Sequence, residues 1–277
     1  VGDSRFLATH CEEVIVTDKK TREQLDSSVR ELEGLSNITL HLGEHRMEDF
    51  ENRDFIIKAA GVPFDSEYVL HAKESGVPVY MTAAQVVAIV METLPDVTVI
   101  GVTGTRGKST VTQLIAHVLK ENGMGIKLGG NIRGVANLPL LDEIEDGDYL
   151  VLELDSWQLQ GFGDMKISPH ISVFTSFMDD HMNYYKNDRE MYFSDKANIY
   201  RNQEEHDVLI VSPQAKDEII KRDKRQPMIV ASKRVVPMKL IGEHNQMAAG
   251  LAYEVALQCG LSDDEIDSAI ATFMPVD

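Results

Sequence analysis

Short apolar runs alternate with stretches of helical periodicity along the whole chain. The strand candidates are 13–18, 38–42, 54–59, 77–81, 97–103, 125–128, 149–154, 170–176, 207–212 and 227–231. Several are apolar on both faces, as in Tyr149-Leu150-Val151-Leu152-Glu153-Leu154 and Ile171-Ser172-Val173-Phe174. A strand apolar on both faces belongs to a parallel sheet covered by helices on both sides. The alternation therefore predicts an α/β, doubly wound architecture. Helical spacing marks residues 3–10, 83–91 and 192–200, and the run Val111, Leu114, Ile115, Val118, Leu119.

Helical residues 83–91 lead to Leu94-Pro95-Asp96, and a new apolar strand begins at Val97. Proline is a natural helix stop, so a domain boundary is expected there. Residues 1–92 read as a small Rossmann-like domain and 93–277 as a larger nucleotide-binding domain. A helical pattern starts almost at Val1, where such a fold would normally have a strand. The first strand is thus expected to be missing.

Composition narrows the function. The chain has 277 residues, 43% apolar and 26% charged, a normal globular balance. Its formal charge of −18 disfavours nucleic acid as a partner, since phosphate backbones reward the opposite sign. A mononucleotide stays possible, because a local loop and its metal hold it. With no bilayer-length apolar run and no signal-peptide pattern, a cytoplasmic protein without membrane contact is expected. A monomer is the expected state. Cys11 and Cys259 lie far apart and outside any motif, which suggests small buried thiols in a reducing compartment.

The strand Val97-Thr98-Val99-Ile100-Gly101-Val102 runs into Thr103-Gly104-Thr105-Arg106-Gly107-Lys108-Ser109-Thr110 and then into a helix. Strand, glycine loop and helix is the context of a phosphate loop. Glycines let backbone N–H groups turn toward phosphates, and the helix N-terminus adds a favourable field. Lys108 supplies a point charge for the β- and γ-phosphates, and Ser109 or Thr110 a hydroxyl for Mg²⁺. The bland alternative is a glycine turn. Valine at 102 replaces the glycine of the common, longer loop.

Two later strand ends carry acids. Glu153 precedes Asp155-Ser156-Trp157-Gln158, and the strand at 170–176 leads to Asp179-Asp180-His181. Ligands of such sheets bind outside the carboxyl ends of the strands. Glu153 reads either as a Mg²⁺ ligand or as a structural acid, and His181 as a second metal or substrate contact. Lys196, on an amphipathic helix, reads either as a lysine snorkelling from the helix face or as a functional group.

In this order, the segments resemble the Mur ligase family, above all its D-glutamate-adding members. Gly129-Gly130-Asn131-Ile132, Leu152-Glu153-Leu154-Asp155-Ser156-Trp157-Gln158-Leu159, Asp180-His181-Met182 and Gly242-Glu243-His244-Asn245 carry the likeness. It is strongest over 97–201 and at 241–250. The resemblance implies that Lys108 binds ATP phosphates within the loop 103–110, and that Asn245 approaches the adenine. Ser109 and Glu153 would hold one Mg²⁺, and His181 and Lys196 a second, with Lys196 carbamylated. Asn131, Ser156, Gln158 and His181 would meet the muramoyl substrate, and Asp18 the uracil. The implied reaction joins D-glutamate to UDP-N-acetylmuramoyl-L-alanine through an acyl phosphate, forming ADP, in peptidoglycan synthesis. Lys108, Glu153, His181 and Lys196 would be catalytic.

Three positions depart from the family pattern: Ala248 where a second asparagine is usual, Asp155 where serine is common, and Arg133 where glycine is frequent. An acid at 155 near a diphosphate is unfavourable unless a cation offsets it. The family's third domain, which binds the amino acid, is expected to be absent beyond Phe273-Met274-Pro275-Val276-Asp277. The chain is then expected to bind nucleotide and UDP-sugar without ligating them. Another Mur ligase, a folylpolyglutamate synthase-like ligase and a non-catalytic phosphate-loop module are the competing readings.

Overall fold

The computed structural model describes residues 1–223, 227–236 and 242–274. Ile241 and Pro275–Asp277, which border two of the segments above, lie outside the described residues. The chain runs α1 (Gly2–His10), β1 (Val14–Asp18), α2 (Asp26–Leu32), β2 (Ile38–Leu42), β3 (Ile56–Ile57), α3 (Glu67–Glu74), β4 (Val79–Tyr80) and α4 (Thr82–Thr93). It continues through β5 (Thr98–Thr103), α5 (Lys108–Glu121), β6 (Ile126–Gly130), α6 (Leu140–Glu143), β7 (Tyr149–Glu153), α7 (Ser156–Met165) and β8 (Ile171–Phe174). Last come α8 (Arg189–Arg201), β9 (Val208–Val211), α9 (Pro213–Arg222), β10 (Ile229–Val230), α10 (Glu243–Gln258) and α11 (Asp263–Thr272). Two compact units divide them: residues 1–86 with 135–143, and residues 87–134 with 144–277.

In the first unit β1 pairs with β2 and β3 with β4, both in parallel. Phe50, Ala72 and Val77 form a small core there. The strand predicted at 54–59 shortens to two residues because the chain turns at once after Lys58, where Val62 N–H donates to the Ala59 carbonyl at 3.1 Å.

The second unit is a six-stranded parallel sheet in the order β10-β9-β8-β5-β7-β6. Its central strand β8 is buried at every position, and β5 and β7 at every position after the first, as their apolar runs require. The apolar face of α5 (Val111, Leu114, Ile115, Val118, Leu119) packs into one core with β5, α10 and α11. Burying each such side chain contributes roughly 1.5–3 kcal/mol. Val102 lies inside β5, with Glu153 beside it on β7 and Val173 on β8, and is fully buried. A side chain there fills core, which is the physical reason this loop has valine in place of the earlier glycine.

From β5 the chain steps outward toward β6, and from β8 it steps the other way toward β9. Such a reversal opens a crevice at the carboxyl ends of the strands. Among the described residues no helix is long and apolar enough to cross a membrane. Both cysteines are unpaired and partly exposed rather than buried.

Candidate active site

The phosphate loop lies at that crevice. Gly104 (φ +144°) and Gly107 (φ +86°) take backbone conformations that L-residues avoid. A Cβ on Gly104 would also strike the Thr175 hydroxyl and come within 2.8 Å of Ser176 N, so no side chain fits. Thr103 Oγ1 donates to the Leu154 carbonyl at 2.8 Å, which ties the loop's first residue to the end of β7. The amides of Thr105 and Arg106 are spent inside the protein, on Ser176 O (2.7 Å) and Ser176 Oγ (3.0 Å). Those of Lys108, Ser109 and Thr110, in the first turn of α5, meet no acceptor among the described residues. They are the N–H groups an anion would find.

Both candidate lysines converge on one carbonyl. Lys108 Nζ donates to Gly104 O at 3.1 Å and Lys196 Nζ donates to the same oxygen at 2.9 Å. Lys196 does not snorkel: it is only 2% exposed. Burial, then the Lys108 charge, pulls its ammonium down to about 7, against the opposing fields of Asp155, Asp180 and Asp195. Glu153 is 6% exposed at the end of β7. Burial pushes its carboxyl above the usual range, while a hydrogen bond with Ser109 and the Lys108 charge pull it back.

His181 sits on the segment after β8 in a left-handed conformation (φ +53°). Its ring packs against Trp157 at 4.7 Å between centroids, and its Nε2 lies 3.5 Å from Asp180 Oδ2. Tyr192 stands between the candidates. Its ring centroid is 4.9 Å from Lys196 Nζ and 6.5 Å from the His181 ring. Its hydroxyl lies 3.3 Å from Thr105 Oγ1. Burial raises the Tyr192 hydroxyl to about 12, so it stays protonated at neutral pH.

Asn131 is exposed beyond β6, and its N–H donates to Glu153 O at 2.6 Å, which sets it beside the buried acid. Ser156 and Gln158 are buried in the first turn of α7. Gln158 is partly committed: its Oε1 accepts from Asp155 N at 3.2 Å, while Asp155 Oδ1 accepts from Gln158 N at 2.7 Å. This reciprocal cap explains the acid at 155, which answers the α7 N-terminus rather than a cation. Arg133 is exposed and forms no ion pair with Asp155 among the described residues. Asp155→Ala is expected to lower stability by about 1 kcal/mol in a urea titration, and Asp155→Ser to lower it less. Asn245 is buried in the first turn of α10, and Ala248 follows it into the core. Asp18 ends β1 in the first unit, where its carboxylate accepts from Lys20 N–H at 2.8 Å.

Sequence reading missed a half-buried acid. Asp195 Oδ2 accepts from Gln160 Nε2 at 2.7 Å and from the Tyr185 hydroxyl at 2.9 Å. Burial raises its carboxyl, and burial followed by the Asp195 charge raises the Tyr185 hydroxyl. The bond from Tyr185 fastens the His181 segment to α8. No motif marks it. An acid at 195 beside Lys196 was visible, but its partners come from other elements.

A doubly wound parallel sheet with a Gly-Thr-Arg-Gly-Lys loop at its reversal point defines an α/β protein of the phosphate-loop nucleotide-binding class. Residues 102–234 match the Mur ligase middle domain. The UDP-N-acetylmuramoylalanine–D-glutamate ligase of Borreliella burgdorferi (strain ZS7) is 36% identical over 213 residues, 76% of this chain and 44% of that protein. The protein of the same name from Geobacillus kaustophilus (strain HTA426) is 31% identical over 300 residues, covering 99% and 64%. Among solved structures, the UDP-N-acetylmuramate:L-alanyl-gamma-D-glutamyl-meso-diaminopimelate ligase from Neisseria meningitides has a TM-score of 0.66 at 17% identity, covering 99% of this chain and 94% of that one. At that identity the likeness shows the fold. The domain formed by residues 102–234 belongs to the Mur ligase family. It spans between 44% and 65% of the length of the first curated relatives it matches.

Proposed function

We propose that this chain forms part of an ATP-dependent amide ligase that joins D-glutamate to UDP-N-acetylmuramoyl-L-alanine, releasing ADP and phosphate. The observation that carries the reading is the convergence of Lys108 and Lys196 on Gly104 O, beside the buried Glu153. The names of the curated relatives supply the substrates. We assign 1–92 to the UDP-substrate and 93–277 to ATP, in a cytoplasmic monomer.

The residues fit one Mg²⁺. Glu153 is a buried carboxylate held above its usual pKa and hydrogen-bonded with Ser109, an environment that a cation would relieve. Among the described residues no three His, Cys, Asp or Glu side chains gather closely enough to hold a metal alone. Ser109 and Glu153 would therefore share the ion with nucleotide oxygens and water. A second Mg²⁺ at His181 fits only if Lys196 gains an anionic oxygen, as carbamylation would provide, since an ammonium cannot ligate a cation. Bound Mg²⁺ would neutralise charge on the phosphates and fix their geometry.

The chain's own groups do the rest. The free amides of Lys108, Ser109 and Thr110 receive phosphate oxygens, and Lys108 turns from Gly104 O to the β- and γ-phosphates. Asn245 faces the adenine. Asn131, Ser156, Gln158 and His181 place the substrate carboxylate in line with the γ-phosphorus. Its oxygen takes the phosphoryl group, ADP leaves, and the amine of D-glutamate then displaces phosphate from the acyl carbon. Positioning and fixed charge supply most of the acceleration in such a transfer.

Calorimetry tests the reading. ATP is expected to bind only with Mg²⁺ present, and UDP-N-acetylmuramoyl-L-alanine to bind more tightly than UDP-N-acetylmuramate. Equal affinity for the two sugars, or ATP binding indifferent to Mg²⁺, would overturn it.

A further inference from the structure

Beyond the end of β8, residues 175–178 run alongside the phosphate loop and are laced to it. Thr175 N–H donates to Thr103 O at 2.8 Å, and Thr105 N–H to Ser176 O at 2.7 Å. The Thr175 hydroxyl donates to Arg106 O at 2.6 Å. Met178 N–H donates to Thr105 Oγ1 at 2.9 Å, and that hydroxyl donates to Met178 O at 3.1 Å. The loop is therefore shaped against this segment, and its precision depends on what holds the segment from behind.

One side chain does so. Phe177 N–H donates to Gln214 Oε1 at 2.8 Å, and Gln214 Nε2 donates to Phe177 O at 2.7 Å. A carboxamide carries a donor and an acceptor in one plane, so it can stand in for one rung of a β-ladder. It stands where the ladder stops: β9 ends at Val211, and Ser212 N–H makes the last backbone bond, to Phe174 O at 3.2 Å. Gln214 is itself aimed by a fixed helix start, with Ser212 capping Ala215 N–H at 3.1 Å and Pro213 in the first turn of α9. The guanidinium groups of Arg189 and Arg222 lie 4.9 and 5.3 Å from the centroid of the Phe177 ring, against which Tyr192 is stacked. Those contacts fix the ring, whereas Gln214 fixes the backbone.

We propose that Gln214 is a positioning residue for the nucleotide site: by holding both backbone groups of Phe177 it fixes the segment that shapes the phosphate loop. The claim about nucleotide rests on the function proposed above, while the claim about the loop does not. Gln214 is exposed, so its replacement leaves the core intact. Gln214→Met keeps the length and removes both bonds. Gln214→Glu keeps the acceptor and sets a second acceptor against Phe177 O.

Amide hydrogen exchange and ATP affinity should be measured on the wild type and both variants. Exchange is expected to quicken about tenfold at Phe177, and also at Thr105 and Arg106, which Gln214 does not touch. ATP affinity is expected to fall about five- to tenfold, more in Gln214→Glu, with little change in melting temperature. Unchanged exchange at Thr105 and Arg106 in either folded variant overturns the proposal. So does quickened exchange at those amides with ATP affinity unaltered. If the wild type binds no ATP, the nucleotide reading fails, and the exchange at Thr105 and Arg106 still decides whether Gln214 sets the loop.

Discussion

Lys196→Met is expected to make the protein more stable near pH 6 while weakening Mg²⁺-dependent binding at the site. The argument is one of linkage. In the unfolded chain a lysine keeps its proton to about pH 10.4. In the folded protein Lys196 is 2% exposed and its ammonium is drawn down to about 7. Below pH 7 both states carry the proton, and the folded state bears the full penalty of a buried charge. Between about pH 7 and the unfolded value only the unfolded chain carries it, so stability rises with pH across that window. The rise attributable to this group is at most roughly 5 kcal/mol. Cys259 and Tyr192, both raised to about 12, act in the opposite sense above about pH 9, because the unfolded chain loses their protons first. Comparing wild type with Lys196→Met in urea titrations from pH 6 to 10 cancels them. The variant should be several kcal/mol more stable at pH 6, with the gap closing by pH 10. A constant gap would show that Lys196 is not held as a penalised cation. A fold that retains such a group near its neutral form retains an amine able to react, which a merely structural lysine on a helix face would not supply.

Much of this arrangement was legible in the sequence, and the exceptions share a cause. Each of the ten strands among the described residues was visible, because strands buried on both faces leave unbroken apolar runs such as Leu150-Val151-Leu152. Their ends were not: the strand at 54–59 reduces to Ile56–Ile57 because a turn interrupts its pairing, which no hydrophobic pattern records. The phosphate loop was legible for a local reason, since its glycines, lysine and hydroxyls are contiguous. Lys196 was ambiguous because burial is a property of the packed helix, and snorkelling and burial look alike in sequence. Asp155 was read as a charge to be offset. The Asp-x-x-Gln spacing at 155–158 was a cap signature in plain view, and the structure uses it so. Gln214 and Asp195 could not be read at all, because each acts through atoms of other elements that only the fold brings near.

The sharing of one carbonyl by two lysines leads to the second large effect, at Lys108. Its Nζ reaches Gly104 O at 3.1 Å and Thr105 O at 3.4 Å, the latter long for a hydrogen bond. The side chain is only half-buried. Lys108→Met therefore should change stability by no more than about 1 kcal/mol. Its effect on nucleotide should be far larger, because the charge-assisted bonds of this half-buried ammonium to phosphate are lost, and the loop's other cation, Arg106, is exposed. A loss of about 10- to 100-fold in ATP affinity is expected by calorimetry. Lys108→Arg should not restore it, since a planar fork cannot occupy the place of a compact ammonium over Gly104. The same substitution should reach Lys196. The Lys108 charge is one of the two causes that draw the Lys196 ammonium down, so removing it raises that pKa. It also removes a force that favours the Glu153 carboxylate, whose pKa should climb further. In Lys108→Met the stability rise assigned to Lys196 should accordingly begin at a higher pH than in the wild type. If ATP affinity falls but that onset stays put, the two lysines are independent. If both move together, the phosphate-binding charge also sets the protonation of the buried amine, and nucleotide entry, which draws Lys108 away from Gly104 O, becomes the event that changes the field at Lys196.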